Sequence, residues 1–275
     1  MGDDYRPVLR PGSDPVVFFK QPGGDAGAPA KGHIMAAAMA RALKDGELVV
    51  VGANPLLPLS AARLAQLMHA PNLNVIAGAS GGVNPLLEPL APSSGDYANL
   101  VAEAALTFPE VMMAHMSGRA DIFFAGGLQI DRRGNCNLAR TAQDGRVTLR
   151  GPGSAGIPWA AAARRTILYT TSHTTRVFVP RVDFVSLAGH PEAGPAGERA
   201  PSLVVTPLAV MDFSPEGDMR LISVHPGVTP EEVRNNTGFD LMMPEGAVPT
   251  TAPPTDTELA HMRSFDLDGL LAIVV

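Results

Sequence analysis

The chain has 275 residues, of which 45% are hydrophobic, and this is enough for one large α/β domain or two small ones with a buried core. Its formal net charge of −6 is spread without runs of like charge. The sequence therefore lacks the clustered lysines and arginines of a surface that binds nucleic acid or anionic membranes. The single cysteine, Cys136, excludes an internal disulfide and a cysteine-based metal cage, and no metal site is predicted.

The first thirty residues lack the apolar core of a signal peptide, and no apolar run approaches the length of a membrane span. Together with the single cysteine, these features predict a cytoplasmic protein. The 28 glycines and 26 prolines indicate many tight turns, and loops of this kind often hold functional residues.

Residues 1–32 are rich in proline and glycine, and only residues 16–19 are apolar enough to pack. We predict that they form an N-terminal extension, either a flexible or loosely docked arm or an arm that lies on a partner subunit. Residues 33–275 are then expected to form a single α/β domain.

The first part of that domain alternates helix and strand patterns. The predicted elements are a helix at 33–44, a strand at 47–51, a helix at 59–68 and a strand at 72–77. Connections this short favour a parallel α/β sheet with a right-handed crossover. Because such sheets bind ligands at the carboxyl ends of their strands, the loop at 52–56, with Asn54, and the loop at 78–85 are candidate binding segments.

The loop at 78–85 consists of small residues and has no ionisable side chain. Main-chain N–H groups around Gly78, Ala79 and Gly81 are able to approach a ligand oxygen or phosphate closely. Ser80 is the only candidate nucleophile in this loop, and no histidine lies near it in the sequence to activate it. The alternative is a serine that only shapes the turn.

Residues 93–106 and 108–118 are predicted to be helices, and the second is rich in methionine. A methionine-rich helix is more typical of a core or a subunit interface than of a cofactor site. His115 in this helix is accordingly predicted to be a packing residue with satisfied hydrogen bonds rather than a ligand.

The segment 121–137 is the one around which the rest of the chain is organised. Its pattern predicts a buried strand, a glycine turn at Gly126 and Gly127, a second short strand and a polar turn that contains Gly134. Two adjacent glycines at the end of an apolar run indicate that the backbone passes close to another segment.

A second glycine-rich turn, at 150–157, precedes a predicted helix at 158–165. Backbone amides at the start of a helix can bind an anion or an oxyanion, so this turn is a further candidate site. Its candidate binding residues are Gly151, Gly153, Ser154 and Ala155.

A β-branched strand at 166–171 leads to His173. The unperturbed pKa of histidine lies near neutrality, which suits His173 to the role of a general base. The alternative is a histidine that belongs only to a hairpin turn.

The last part of the chain is predicted to contain strands at 203–210 and 219–224, separated by a turn at 214–218. Thr229 and Thr255 each precede a glutamate by three residues, which predicts two capped helix starts. The apolar run Leu-Leu-Ala-Ile-Val-Val at the C-terminus predicts either a last strand or a partner that covers it.

Several short motifs, in the same order over roughly residues 33–265, resemble the β subunits of family I CoA-transferases, glutaconate CoA-transferase being the nearest. The matching residues are Gly126, Gly127, Gln129, Ile130, Asp131, Gly134, Asn135, Gly151, Gly153, Ala155, His173, Arg176, Phe178, Val182, Asp183, Phe184, Thr229, Pro230, Glu231, Glu232, Val233, Asn236, Thr237, Gly238, Phe239 and Asp240. The Asn-Thr-Gly-Phe-Asp motif at 236–240 is the most specific match, and we interpret it as structural rather than catalytic.

The resemblance implies an open, mostly parallel α/β sheet with flanking helices, the NagB/RpiA-like architecture of that family. It also implies an acyl-CoA substrate, with coenzyme A as part of the substrate and no separately bound cofactor. An α-type partner subunit, in a heterodimer or heterotetramer, is implied as well. Gly127 and Gln129 are expected among the substrate-binding residues, and the turn at 150–157 is expected to enclose the thioester carbonyl.

The sequence departs from this family at one catalytic position. In the family, a glutamate attacks the thioester and carries CoA as an enzyme-bound thioester. Counted from Ala70 and Pro71, that position falls on Gly78 or Ala79, and neither residue has a carboxylate.

Three hypotheses fit this departure. The chain is the β-type subunit of a heteromeric CoA-transferase whose partner supplies the carboxylate, or a subunit of an acyl-CoA hydrolase. That hydrolase cleaves a ring C–C bond of a β-keto acyl-CoA, as in the steroid-degrading relatives of the family. The third hypothesis is a non-catalytic, CoA-binding or scaffolding subunit. The lack of a carboxylate at this position favours hydrolysis, which needs only a base to activate water and an oxyanion pocket. The family as a whole favours transfer, because most of its members transfer CoA.

Overall fold

The structure, a computed structural model, describes residues 5–8, 16–20, 28–52, 56–86, 90–154, 156–192, 196–197, 199–266, 268–273 and 275. The strands are β1 (Tyr5–Val8), β2 (Val16–Lys20), β3 (Leu48–Val51), β4 (Asn74–Ala77), β5 (Gly82–Pro85), β6 (Ala102–Ala105), β7 (Ile122–Ala125), β8 (Gln129–Ile130), β9 (Cys136–Asn137), β10 (Arg140–Gln143), β11 (Arg146–Arg150), β12 (Arg165–Tyr169), β13 (Pro201–Val205), β14 (Ala209–Phe213) and β15 (Met219–Val224). The helices are α1 (Lys31–Ala40), α2 (Leu56–Met68), α3 (Phe108–Met116), α4 (Ile157–Ala160), α5 (Pro230–Asn235), α6 (Asp256–Phe265) and α7 (Leu270–Ile273).

Nine strands of the described chain form one sheet in the order β15-β14-β13-β12-β7-β3-β4-β5-β6. The central strands β13, β12, β7, β3 and β4 run parallel, and antiparallel strands extend the sheet at both edges. This confirms the predicted mostly parallel α/β sheet, including the parallel pairing of β3 with β4. Within the predicted N-terminal extension, β1 and β2 pair antiparallel.

The central strands are apolar runs because both of their faces are covered. In β7, Ile122 and Phe124 pack with residues of α1, α2 and α6 on one face of the sheet. Phe123 and Ala125 belong to the core on the other face, together with Val111 of α3. The alternation follows the two-residue period of a strand and places helices on both faces.

The segment 121–137 folds as predicted, into β7, a glycine turn, β8, a polar turn and β9. In the polar turn, the Asp131 carboxylate accepts hydrogen bonds from the backbone N–H groups of Arg133 and Asn135, each at 3.0 Å. Gly134 has a φ of +77°, a conformation that side chains disfavour.

Helix α6 packs against α1, which precedes it by more than two hundred residues. Arg41, directly after α1, donates to both carboxylate oxygens of Glu258, at 3.1 and 2.7 Å. The same guanidinium donates to the carbonyl oxygens of Ala252 and Pro253. Phe265 of α6 is fully buried in the core that this contact closes.

Both predicted helix starts are confirmed. Thr229 accepts a hydrogen bond from the N–H of Glu232 and begins α5. Thr255 accepts from the N–H of Glu258, whose carboxylate accepts from the N–H of Thr255 in turn, and this reciprocal pair begins α6.

The predicted helix at 93–106 is wrong. A single 3-10 turn, Tyr97–Leu100, is capped by Asp96 and is followed by β6. Strand β6 pairs with β5, which itself occupies half of the loop predicted at 78–85. Pairing at the edge of the sheet therefore outweighs the helix preference of the alanines in β6.

The strand predicted at 203–210 is two antiparallel strands, β13 and β14. Thr206 accepts hydrogen bonds from the N–H groups of Leu208 and Ala209, and this side chain fixes a tight turn inside an apolar run. The helix predicted at 158–165 is also shorter than expected, because α4 ends at Ala160 and β12 begins at Arg165.

The apolar C-terminal run, predicted as a strand or a covered end, contains the short helix α7. Leu271 is fully buried in the core beside α1, whereas Ile273 is 75% exposed. Within the described ranges, no helix has both the length and the apolar character that crossing a membrane requires.

A buried network joins His173 and His225 through Thr206. His173 Nδ1 lies 2.8 Å from the Thr206 hydroxyl, and its Nε2 lies 3.1 Å from the Thr237 hydroxyl. His225 Nε2 donates to the backbone oxygen of Thr206 at 2.7 Å. Burial lowers the pKa of both histidines to about 4, and the nearby His225 also lowers the pKa of His173.

The stability of the fold is expected to fall as the pH falls from 6.5 towards 4. In the unfolded chain both histidines protonate near pH 6.5, whereas in the folded chain they protonate only near pH 4, so the unfolded state binds protons first. Each histidine then removes about 2 to 3 kcal/mol from the free energy of unfolding by the end of this range. Urea denaturation at constant ionic strength measures the loss.

The variant His173→Gln separates this effect from other titrations, because glutamine forms hydrogen bonds without titrating. Asp131 and Asp266 act in the opposite direction, since burial raises the pKa of both carboxyls. The variant is expected to lose less stability than the wild type over the same pH range. Equal losses in the two proteins would contradict the prediction.

Candidate functional site

A cavity of about 810 Å³ lies at the carboxyl ends of β3, β4, β7 and β12. The strands and strand ends contribute Val51, Gly52, Gly78, Ala79, Phe123, Phe124, Ala125, Gly126, Gly127, Tyr169, Thr170 and Thr171 to its lining. The helices and loops contribute Leu56, Leu57, Phe108, Met112, His115, Leu128, Leu138, Pro152, Gly156, Ile157 and Trp159. The cavity occupies the edge of a parallel sheet at which ligands usually bind.

The two turns singled out in the sequence meet at this cavity. Gly78 and Ala79 line it from the end of β4, and Pro152 and Gly156 line it from the turn before α4. Gly127 contributes from the end of β7. The described lining contains no aspartate or glutamate between these two turns.

The other residues proposed from the sequence have different positions. Those outside the described lining are Ser80, Gly81, Gln129, Gly151, Gly153, Ser154 and His173. Asn54 and Ala155 lie outside the described residues.

The backbone at Gly78 leaves no space for a side chain. A Cβ atom at this position would lie 2.6 Å from the carbonyl oxygen of Val51, which accepts the N–H of Gly78 at 3.0 Å. Ala79, the next residue, is exposed and lines the cavity. Of the two positions where the family resemblance places a glutamate, only position 79 has room for a longer side chain without movement of β3.

Two serines near the cavity are engaged in local hydrogen bonds. Ser80 Oγ donates to the carbonyl oxygen of Ala77 at 3.3 Å, which is the geometry of a serine that shapes a turn. Ser154 Oγ lies 3.1 Å from Ser186 Oγ. Both hydroxyls therefore already have protein partners.

Gln129 joins three segments of the fold. Its side-chain oxygen accepts hydrogen bonds from the Asn137 amide at 2.7 Å and from the backbone N–H of Asp183 at 2.9 Å. Its amide nitrogen donates to the Asp183 carboxylate at 2.8 Å. These contacts tie β8 to β9 and to the chain at Asp183, away from the cavity.

His173 is 6% exposed, and both of its ring nitrogens contact threonine hydroxyls. Its ring stacks on Phe178 with 4.2 Å between the centroids. One of the threonines, Thr237, belongs to the Asn-Thr-Gly-Phe-Asp motif, whose Gly238 donates its N–H to the Phe178 carbonyl at 2.8 Å. The most specific sequence motif thus packs with His173 in the interior.

His115 lines the cavity, although the sequence predicted a packing residue with satisfied hydrogen bonds. It is 4% exposed, and its ring meets that of Phe123 edge-on at 5.3 Å. Its Nδ1 has no hydrogen-bond partner in the described part of the chain, so the prediction of a satisfied residue is wrong. Burial lowers the pKa of His115 below its usual 6.5, and the imidazole is therefore neutral at pH 7.

A signal for His115 was present in the sequence. Phe108, Met112 and His115 have the spacing i, i+4 and i+7, which places them on one face of α3, and all three line the cavity. The periodicity defines the face of the helix, but only the tertiary structure shows that this face borders a cavity.

The cavity is mostly apolar, with a few polar groups at its walls. Burial raises the pKa of Tyr169 to about 12, so its hydroxyl stays protonated at neutral pH. Thr170 and Thr171 follow it at the end of β12. A mostly apolar pocket with a few polar groups is typical of a small-molecule site.

The chain is similar to known proteins over most of its length. A sequence model of the coenzyme A transferase family matches residues 33–236. The chain is 32% identical over 246 residues to the B subunit of 3-oxoadipate CoA-transferase from Pseudomonas knackmussii, covering 85% of this chain and 92% of the relative. It is 35% identical over 213 residues to the cholesterol ring-cleaving hydrolase IpdB subunit of Rhodococcus jostii, covering 75% and 80%.

Among solved structures, a chain of the decarboxylase AibA/AibB matches with a TM-score of 0.79 and 25% sequence identity. The match covers 90% of this chain and 98% of that chain. The similar proteins therefore share one fold and are named for three different reactions.

The variant Gly127→Ala is expected to destabilise the protein by about 2 to 4 kcal/mol. A Cβ atom at position 127 would lie 2.5 Å from both the Asn137 carbonyl oxygen and the Cys136 sulfur, so β9 must move. Chemical denaturation measures the change in the free energy of unfolding. Gly52→Ala is the matched control, because a Cβ atom at position 52 meets no atom within 4 Å. Equal stability of the two variants would refute the prediction.

Proposed function

The chain belongs to the coenzyme A transferase family, and we propose that it is the β-type subunit of a heteromeric enzyme that acts on an acyl-CoA thioester. The thioester enters the cavity at the carboxyl ends of the parallel strands, and an α-type subunit completes the site. Coenzyme A takes part only as a portion of the substrate. Two relatives are named as subunits and the structural neighbour as a pair, which supports a two-subunit assembly.

Exposed apolar residues on α3, beside the cavity, support the proposal of a partner subunit. Phe108, Met113 and Met116 are 64%, 69% and 66% exposed. Large apolar side chains exposed together on one helix are typical of an interface. Since Phe108 also lines the cavity, a subunit that covers these side chains also contacts the wall of the cavity.

The choice between covalent attachment of CoA and a reaction without it rests on the residues at positions 78 and 79. The family resemblance places the nucleophilic glutamate at one of these positions, and this chain has no carboxylate at either. The chain therefore has no carboxylate at the expected place that could attack a thioester. We infer a reaction that proceeds without covalent attachment of CoA to this chain.

Hydrolysis, including cleavage of a ring C–C bond in a β-keto acyl-CoA, fits this lining best. A base takes a proton from water while the water oxygen adds to a carbonyl carbon, and the tetrahedral adduct then collapses. Collapse of the adduct at the thioester carbonyl breaks the C–S bond, and collapse of the adduct at the β-keto carbonyl breaks the bond from that carbon to the α-carbon. The base then returns its proton to the departing thiolate or to the α-carbon of the departing enolate. The relative named as a ring-cleaving hydrolase subunit supports this reaction class.

His115 is our candidate for the base in this reaction. It lines the cavity, its Nδ1 has no partner among the described residues, and burial lowers its pKa so that it is neutral and able to accept a proton at pH 7. His173, the base proposed from the sequence, has both ring nitrogens in contact with threonine hydroxyls.

CoA transfer is the second candidate function, and the relative named as a 3-oxoadipate CoA-transferase favours it. It requires that the α-type subunit supply the attacking carboxylate. A subunit that only binds CoA or supports its partner is the third candidate, and a complex without turnover would indicate it.

The first test traps a covalent intermediate in the complex of this chain with its α-type subunit. The complex is incubated with a panel of acyl-CoAs and then treated with borohydride, which reduces an enzyme-bound thioester and changes the mass of the chain that carries it. We expect no mass change in the wild-type chain. The variant Ala79→Glu is expected to become labelled, because Ala79 is exposed and lines the cavity.

Gly78→Glu is the matched control, because a side chain at position 78 meets the Val51 carbonyl, and we expect it to remain unlabelled. Labelling of the wild-type chain would contradict the proposal. Labelling of the α-type subunit would indicate transfer with a nucleophile from the partner.

The second test replaces the candidate base. His115→Gln is expected to lower kcat of the complex at least about 100-fold with a smaller change in KM, because glutamine cannot accept the proton. In the wild type, kcat is expected to decline as the pH falls through the lowered pKa of His115, and this limb disappears in the variant. His261→Gln, on α6, is the control. An unchanged kcat in His115→Gln would exclude His115 as the base.

A further inference from the structure

The hairpin of β10 and β11 pairs two arginines. Arg140 lies directly opposite Arg150 in the register of the hairpin, and both residues are exposed. Like charges directly opposite each other on neighbouring strands destabilise the pair. The register therefore brings two positive charges together against their mutual repulsion.

The pair lies at the end of the hairpin that is next to the cavity. Leu138, two residues before Arg140, and Pro152, two residues after Arg150, both line the cavity. Arg146 begins β11 at the opposite end, four residues earlier, and a strand of this length spans about 13 Å. The two opposed arginines are thus each two residues along the chain from a residue that lines the cavity, whereas Arg146 is farther from it.

The surroundings leave the charges of this pair without an acidic partner in the described chain. No described carboxylate lies within 4.0 Å of either guanidinium group. The Arg140 guanidinium lies 5.5 Å from the centre of the Phe184 ring, a stacking contact that leaves its N–H donors at the edge. Asp183, beside β10, accepts hydrogen bonds from Gln129 and from the N–H of Ala142.

Two neighbouring guanidinium groups are suited to bind a phosphate, since each offers several donors in a planar fork. The substrate class of the proposed function contains a diphosphate and a 3′-phosphate, joined to the thioester by the pantetheine arm. When the thioester occupies the cavity, this arm leads the phosphates out to the rim.

We propose that Arg140 and Arg150 bind phosphate groups of the coenzyme A moiety and so orient the thioester in the cavity. This subsite rests on the proposed function, because the cavity is taken to hold the acyl end of the same molecule. It assigns a role to a hairpin that has no place in the chemistry of the cavity itself.

The test measures the affinity of the complex with the α-type subunit for coenzyme A, 3′-dephospho-CoA and pantetheine by calorimetry. The variant Arg150→Gln is expected to weaken the binding of coenzyme A about tenfold and to leave the binding of pantetheine unchanged within about twofold. The affinity of the wild type for coenzyme A is expected to decrease with added salt more steeply than that of the variant. Arg140→Gln is expected to resemble Arg150→Gln, and Arg150→Lys to retain part of the affinity.

Arg146→Gln on the same hairpin is the matched control, and its affinities are expected to equal those of the wild type. Equal losses for coenzyme A and pantetheine, or no loss for either, would overturn the proposed subsite. So would weaker association with the α-type subunit at unchanged ligand affinities, since a carboxylate of the partner would then face the arginines. If the wild-type complex binds none of the three ligands and turns over no acyl-CoA, the proposed function itself fails and the subsite fails with it.

Discussion

The parallel pairing of β7 with β3 and β12 determines where the rest of the site lies. Parallel strands present their carboxyl ends at the same edge, so Val51, Gly78, Ala125 and Tyr169 form one rim although they are distant in the sequence. Small residues follow three of these strands, and the space that they leave is the cavity. The close approach of Gly127 to β9 then fixes how the chain leaves that rim.

Much of this arrangement was predictable from the sequence. Apolar runs closed by glycine identified β3, β4 and β7, and the rule for parallel sheets placed a site at their ends. The prediction was wrong where a tertiary contact opposes a local preference, as in the pairing of β6 with β5. It was also wrong where the Thr206 side chain forms a local turn inside an apolar run. The prediction that His115 has satisfied hydrogen bonds was also wrong. The sequence pattern of a helix shows which face is apolar, but the hydrogen-bond partners of a side chain come from other segments of the chain.

One fold hosts several reactions in this family, so the reaction depends on the side chains of the cavity rather than on the sheet. The relatives and the neighbour are named as a transferase, a hydrolase and a decarboxylase. At Gly78 the strand end lies so close to β3 that a glutamate does not fit there without a shift of the backbone. A carboxylate at position 78 would therefore require a change in local packing as well as a different side chain.

The contact of Arg41 with Glu258 also affects how the chain is made. Helix α1 leaves the ribosome early and soon meets α2, but the helices α6 and α7 that cover the rest of it are synthesised more than two hundred residues later. Until then this part of α1 has no native cover, and loop closure over such a distance is slow. The nascent chain is therefore expected to depend on a chaperone during translation, and loss of its last segment would leave a product prone to aggregation.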